Sequence, residues 1–99
     1  MRVHWTNTAP EHLEAIHDYI ARDSTTYARQ LVHRLTRKSQ QIVNFPFSGR
    51  KVPKYDSDRT REVIEFPYRI IYFIKSDRID VLAVIHGARD ILQTPEECD

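Results

Sequence analysis

The chain has little of what a disulfide, a metal cluster or a nucleotide cradle would need. Its single cysteine, Cys98, excludes an internal disulfide and a cysteine-rich zinc site. Set among acids near the last residue, that thiol reads as exposed and idle. Two glycines leave no room for a Gly-rich phosphate loop of P-loop or dinucleotide type, and there is no GxSxG element. No apolar run approaches the roughly 18–20 residues of a membrane span. Met1-Arg2-Val3-His4-Trp5 lacks the long apolar stretch of a secretory signal. The expected address is the cytoplasm, with no membrane partner. The histidines are scattered, and His12 and His17 are five apart, not the three or four that a shared metal on one helix prefers. Neither a metal nor a cofactor is expected.

What is present is the composition of a globular chain: 40% hydrophobic, 10% aromatic and 29% charged over 99 residues. A second independent core does not fit in that length, so residues 1–99 are read as one domain. The net charge of +1 conceals an uneven distribution. Between Arg29 and Arg61 nine bases (Arg29, Arg34, Arg37, Lys38, Arg50, Lys51, Lys54, Arg59, Arg61) face two acids, Asp56 and Asp58, a local excess of seven. Glu11, Glu14, Asp18 and Asp23 lie before that stretch, and Asp90, Glu96, Glu97 and Asp99 after it. A basic middle between acidic ends fits a polyanion or an acidic protein meeting one side of the molecule, and equally a solvated helix face followed by a basic loop.

Arg2 to Trp5 can form a first strand. Thr8-Ala9-Pro10-Glu11 reads as a helix start with Thr8 as cap and Glu11 three residues later. Leu13, Ile16, His17 and Ile20 continue at helical spacing to an end near Asp23. Ser24 caps a second helix whose buried stripe is Ala28, Leu31, Val32, Leu35, Ile42 and Val43, with Ser39 as a small gap, and Asn44 to Pro46 stops it. The near-absent connection predicts an antiparallel hairpin. Phe47 to Asp58 reads as a loop of about a dozen residues, long enough in so small a domain to suggest function or mobility. Glu62 to Phe66 alternates polar and apolar, and Pro67 suggests a turn. Tyr68 to Ile74 and Ile79 to Ile85 are dense in β-branched and aromatic residues without clean alternation, which predicts a sheet covered on much of both faces. The reading is an α+β domain of order β-α-α-β-β-β. An antiparallel sheet carries the hairpin on one face, and the first strand joins an edge.

A two-residue turn at Asp77-Arg78 would set Lys75 opposite Asp80, Phe73 opposite Leu82, Ile71 opposite Val84 and Arg69 opposite His86. Arg69 and His86 would then share one sheet face, with Arg89 just beyond and Arg61 able to join from the basic side. Guanidinium groups grip phosphate oxygens with paired donors, and histidine exchanges a proton near neutral pH. Such a set suits a phosphodiester. The same residues also fit a structural arrangement in which Arg69 pairs with Glu65 or the late acids and His86 ends the strand. Tyr55, in the basic loop, is the aromatic placed to meet a partner.

Several segments resemble the RelE/ParE superfamily of type II toxins: Pro46-Phe47-Ser48-Gly49-Arg50, Arg61, Tyr68-Arg69-Ile70-Ile71-Tyr72 and Val84-Ile85-His86-Gly87-Ala88-Arg89-Asp90. The resemblance runs over nearly the whole chain. It implies an antiparallel sheet cradling the hairpin and a cognate antitoxin whose C-terminal segment wraps the toxin in a hetero-oligomer. RelE-like members cut mRNA in the ribosomal A site without metal, and ParE-like members poison DNA gyrase. Arg69 matches the arginine of the RelE-like YR motif, and Arg89 the arginine after the last strand. Where RelE-like enzymes carry two lysines, this chain has Val63 and Glu65, and Thr94-Pro95-Glu96 stands where a late tyrosine is expected. A carboxylate beside Arg69 removes positive charge where a scissile phosphate needs it. His-Gly-Ala-Arg-Asp is closer to ParE-like chains. The resemblance therefore implies a gyrase-directed toxin, and the basic loop and second-helix surface (Arg34, Lys38, Arg50, Lys51, Lys54, with Tyr55) together with the tail is expected to contact gyrase or its DNA complex. In the alternative, a ribosome-dependent endoribonuclease, Arg61, Arg69 and Arg89 hold the phosphate and His86 acts as acid or base.

Overall fold

A computed structural model of the protein describes residues 1–87. Strand β1 is Arg2–Trp5, and helices α1 and α2 are Thr8–Ala21 and Thr25–Gln41. Two short 3-10 turns, Ile42–Asn44 and Pro46–Ser48, lead into strand β2, Arg50–Lys51. Strands β3 (Thr60–Glu65), β4 (Tyr68–Ile74) and β5 (Arg78–His86) follow. The sheet order is β1-β5-β4-β3-β2.

The helices form where the apolar spacing predicts. Ser24 caps α2 by accepting the Tyr27 N–H at 3.1 Å, which satisfies one of the donors left open at a helix start. Ala28, Leu31, Leu35 and Ser39 are buried along one face of α2, in the predicted stripe. Helix α1 differs at its start. Thr8 already lies inside the helix, and Asn7 precedes it without a side-chain cap. Leu13, Ile16 and Ile20 of α1 pack with Leu31 and Leu35 against Tyr68, Ile70, Tyr72, Ile74, Ile79, Val81 and Val84 of the sheet. Burial of each such large side chain stabilises the fold by about 1.5–3 kcal/mol.

Three features differ from the sequence expectation. First, β1 joins the edge of the sheet parallel to β5, with Trp5 beside Val81, so the sheet is mixed, and the connection between these parallel partners runs through both helices and strands β2 to β4. Second, the loop of 47–58 contains β2, which pairs with β3 through Arg50 opposite Glu62 and Lys51 opposite Arg61. Val52 from the same loop is buried with Ile71, Leu82, Ala83 and Ile85 on the face away from the helices, so that face is covered by the chain itself.

The third difference is register. Lys75 N–H donates to Arg78 O at 2.8 Å, so the tight turn is Ser76-Asp77, one residue earlier than expected. That moves the pairing by two residues and preserves the faces. A bulge then intervenes. Tyr72 opposes Val81 but Ile71 opposes Ala83, which leaves Leu82 as an extra residue on β5. Beyond the bulge Arg69 opposes Ile85 and Tyr68 opposes His86. The expected pairing of Arg69 with His86 is thus overturned. A one-residue shift sends alternate side chains to opposite faces.

Past Trp5 the outer edge of β5 has no strand neighbour among the described residues, and α1 takes over. His12 Nδ1 accepts the Val84 N–H at 3.2 Å.

Candidate functional site

Glu62 anchors the face of the sheet away from the helices. It lies directly opposite Arg50 on β2 and diagonally from Arg69 on β4, within cross-strand reach of both. Its carboxylate is fully buried. Arg69 Nη1 donates to Oε1 at 3.0 Å. Arg50 Nε donates to Oε2 at 2.8 Å, and Arg50 Nη2 donates to the same oxygen. The Arg69 side chain is 14% exposed and that of Arg50 is 67% exposed. Both carboxylate oxygens are therefore engaged, and the two guanidiniums are already partly neutralised from within.

The residues proposed for phosphodiester chemistry are not gathered in one place. Arg61 follows Thr60 toward the helix side of β3. There its guanidinium donates to three backbone carbonyls: Asp58 O at 2.7 Å, Gly49 O at 2.9 Å and Phe47 O at 3.1 Å. It also stacks over the Phe47 ring, 5.2 Å from the centroid. These bonds tie the loop to β3. Arg69 lies on the opposite face with Glu62. His86 is on the helix face, its ring edge-on to Tyr68 at 5.5 Å. Arg89 lies outside the described residues. The expected neighbour of Arg69 is also corrected: Glu65 opposes Tyr68 and pairs with Arg34 Nε at 3.3 Å, whereas Glu62 takes Arg69.

Tyr72 closes the loop from beneath. Its hydroxyl donates to Pro46 O at 2.6 Å, and burial pushes its pKa up. A Cβ on Gly49 would stand 2.3 Å from that hydroxyl oxygen and 2.9 Å from Glu62 O. Glycine is required here by close approach, since its φ of −68° is open to any residue.

The expected target-binding residues fall on two neighbouring surfaces. Lys38 lines three contiguous clefts of about 210, 400 and 190 Å³ between α2, β3 and the turn 45–49. Arg34 and Arg37 line the first and Arg50 the second. Lys51 reaches Asp58 at 2.8 Å and holds that carboxyl below its usual pKa. Lys54 Nζ sits 5.6 Å from the Tyr55 ring centroid, and Tyr55 packs on the Val52 cluster. Sequence reasoning missed two parts of this region. One is Glu62, whose signal is its place on β3 in phase with Thr60 and opposite Ile71, on the face away from the helices. The other is four exposed apolar side chains: Phe45 at 73%, Phe47 at 52%, Ile64 at 50% and Phe66 at 80%. For the three phenylalanines the signal is aromatics flanking prolines (Phe45-Pro46-Phe47 and Phe66-Pro67), which puts them in turns and out of the sheet interior, whereas Ile64 lies within β3.

At the far end of the sheet a second ionic group forms around Asp80. Arg78 Nε lies 2.8 Å from its carboxylate, Lys75 Nζ 3.2 Å and His4 Nδ1 3.3 Å. Burial pulls the Asp80 pKa up, but the hydrogen bonds from Arg78 and Lys75 outweigh it and the net shift is downward. Among the described residues no group of three His, Cys, Asp or Glu side chains is placed to hold a metal ion, and no helix is long and apolar enough to cross a membrane.

Residues 3–91 match a family model described as the ParE toxin of the type II toxin–antitoxin system parDE. A Sinorhizobium fredii protein, Y4kP, whose name assigns it provisionally as a toxin, is 32% identical over 86 residues, covering 87% of this chain and 88% of that one. Among solved structures, the chromosomal ParDE system of P. aeruginosa contains a chain with a TM-score of 0.71 at 20% identity, covering 87% of this chain and 95% of that one. The RelBE2 toxin–antitoxin complex of Mycobacterium tuberculosis contains one with a TM-score of 0.64 at 17% identity, with coverage of 86% and 95%. At these identities the two structures establish the α+β fold, with two helices on a five-stranded sheet.

Proposed function

The chain belongs to the ParE toxin family of type II toxin–antitoxin systems, and from that premise we propose that it arrests growth by poisoning DNA gyrase and is neutralised by a cognate antitoxin in a cytoplasmic hetero-oligomer. The observation that carries this reading, against mRNA cleavage, is the buried Glu62 carboxylate bound to Arg69 and Arg50. A metal-independent ribonuclease must bring uncompensated cations to a scissile phosphate as charge develops on it. In this protein Arg69 faces an internal carboxylate, Arg61 is committed to backbone carbonyls, and His86 lies on the other face of the sheet. The target contacts in this reading are Arg34, Lys38, Arg50, Lys51, Lys54 and Tyr55. The antitoxin covers exposed apolar side chains of the toxin with an acidic, amphipathic segment.

Induction of the chain alone, with parallel readouts of plasmid supercoiling, trapped gyrase–DNA cleavage complexes and mRNA 5′ ends by primer extension, tests the proposal. Growth arrest with accumulation of cleavage complexes, relieved by co-expression of the neighbouring small gene product, is the expected result. Intact supercoiling together with cleaved translated mRNA, abolished by His86→Ala or Arg89→Ala, would overturn it in favour of the ribonuclease.

A further inference from the structure

The surface between α2 and β3 combines cations and exposed rings in a way that loop anchoring leaves unexplained. Arg37 and Lys38 form no ion pair with another described residue. Arg34 lies beside them in the same cleft. Phe45 lines the adjoining cleft with Lys38 and Ser48, and Phe66 is at the end of β3, where its carbonyl accepts from Arg34 Nη2 at 3.0 Å. The carboxylates of this region, Glu62, Glu65 and Asp58, are each already held by a base. The surface therefore presents two cations outside any ion pair among the described residues, with Phe45 beside Lys38 and Phe66 beside Arg34.

An added peptide strand is disfavoured by the edge itself. Successive residues of an edge strand point their backbone groups alternately inward and outward. On β3 the outward set is Thr60, Glu62, Ile64 and Phe66. Thr60 O accepts from Val52 N–H at 3.3 Å, Glu62 is paired by Arg50 of β2, and Phe66 O is taken by Arg34. Only the position of Ile64 is left between them, too little for a ladder. A ligand that matches this face without a backbone ladder pairs anionic charge with flat π-surfaces. Single-stranded nucleic acid has both, and cationic grooves with interleaved aromatics are how such strands are held without sequence preference.

We propose that the α2–β3 face binds single-stranded nucleic acid, Arg37 and Lys38 holding backbone phosphates and Phe45 and Phe66 serving as stacking platforms. The surface shares Lys38 with the target contacts proposed above, but the proposal does not rest on the gyrase reading, since a toxin acting on a DNA complex or on translated mRNA could use the same surface.

Fluorescence anisotropy of the purified full-length chain with labelled oligo-dT and oligo-rU of about twenty nucleotides, and with duplex DNA, is the test. Single strands are expected to bind in preference to duplex. A slope of log affinity against log salt of about −1.4 corresponds to the two phosphate contacts, at Arg37 and Lys38, at about −0.7 each. Arg37→Gln/Lys38→Gln is expected to lower affinity by at least about ten-fold and flatten the slope, and Phe45→Ala/Phe66→Ala to lower affinity by about five-fold or more with the slope unchanged. All four positions lie at the surface or half-buried, and circular dichroism verifies that the variants fold. Preference for oligo-dT over oligo-rU assigns the surface to DNA, and the reverse to RNA. The proposal is overturned by absence of binding at about 50 mM salt, by affinity indifferent to both double variants, or by duplex binding as tightly as single strands. It also fails if poly-glutamate displaces the oligonucleotide at an equal concentration of charge, which would mark a carboxylate-binding protein surface. Neither gyrase nor ribosomes enter the assay, so its failure and a failure of the gyrase reading are separately visible.

Discussion

Replacing Glu62 by glutamine preserves shape and removes one charge. The carboxylate is fully buried and its partner Arg69 is 14% exposed, so water can do little to replace the lost interaction at Arg69. Removing one member of a buried ion pair costs about 3–5 kcal/mol, because the remaining charge is stranded. Two features lower that figure here. The glutamine carbonyl still accepts one hydrogen bond, and Arg50, 67% exposed, can turn to solvent. We expect about 2–3 kcal/mol, with hydrogen bonds to charged groups at about 1.5–3 kcal/mol setting the scale. In a domain of this size that lowers Tm by about 10–20 °C. Arg50→Gln is the control: as an exposed partner it should cost no more than about 1 kcal/mol. Urea unfolding of the three chains measures these differences, and a double-mutant cycle with Arg69→Gln isolates the pair. The expected signature is strong coupling, the double variant being far less destabilised than the two singles added. A Glu62→Gln chain within about 0.5 kcal/mol of the parent, or strictly additive singles, would refute the account of Glu62 as the counter-charge that holds Arg69.

Three further outcomes follow from the geometry. Gly49→Ala places a methyl 2.3 Å from the Tyr72 hydroxyl oxygen; a loss of about 1–3 kcal/mol is expected from overpacking, and Tyr72→Phe in the same chain should recover part of it by removing the clashing oxygen, as urea denaturation would report. Ser24→Ala deletes the α2 cap and should cost about 1 kcal/mol, seen as a lower urea midpoint with an unchanged slope. Asp80 has its pKa lowered in the fold, burial opposing but hydrogen bonds from Arg78 and Lys75 prevailing. Its contribution is therefore present above the unfolded carboxyl pKa of about 3.9 and lost as pH falls through the lower folded value. Asp80→Asn should be less stable than the parent at neutral pH and should show a shallower acid limb below about pH 4 in a pH series of thermal melts.

The helices were legible because their signals are local. The Ser24 cap, the stripe from Ala28 to Ile42 and the breaker at Pro46 each act within a turn or two of chain. The order of the strands was legible for a similar reason, since dense β-branched runs separated by short turns leave few alternatives. What was not legible depends on pairings between distant residues. The direction of β1 relative to β5 has no local marker in four residues. The bulge at Leu82 lies inside a continuous apolar run, Val81-Leu82-Ala83-Val84-Ile85, where every residue suits either face and alternation cannot register an extra one. Strand β2 is two residues long in a stretch rich in charge, and its pairing with β3 follows from the Arg61 and Tyr72 bonds to the turn before it. Glu62 was read as part of an alternating strand, and its burial becomes visible only when Arg50 and Arg69 are brought to either side.

Two small features separate the candidate chemistries on this scaffold. A phosphodiester site on the sheet needs an arginine and a proton carrier on one face. The turn at Ser76-Asp77 alone would have kept Arg69 and His86 together, because a shift of two residues preserves the face. The single extra residue at Leu82 separates them. Even a histidine returned to that face would meet an Arg69 already bound to Glu62, and the phosphate would have to displace a buried carboxylate whose other oxygen Arg50 holds. On the proposed gyrase reading, the two features together keep Arg69 and His86 from acting on one phosphate while leaving the sheet order and hairpin unchanged. Function in such a fold is set by the site and not by the architecture. On that reading, bringing Arg69 and His86 to one phosphate takes both deletion of the bulge residue and neutralisation of Glu62, and primer extension should show that neither change alone confers cleavage.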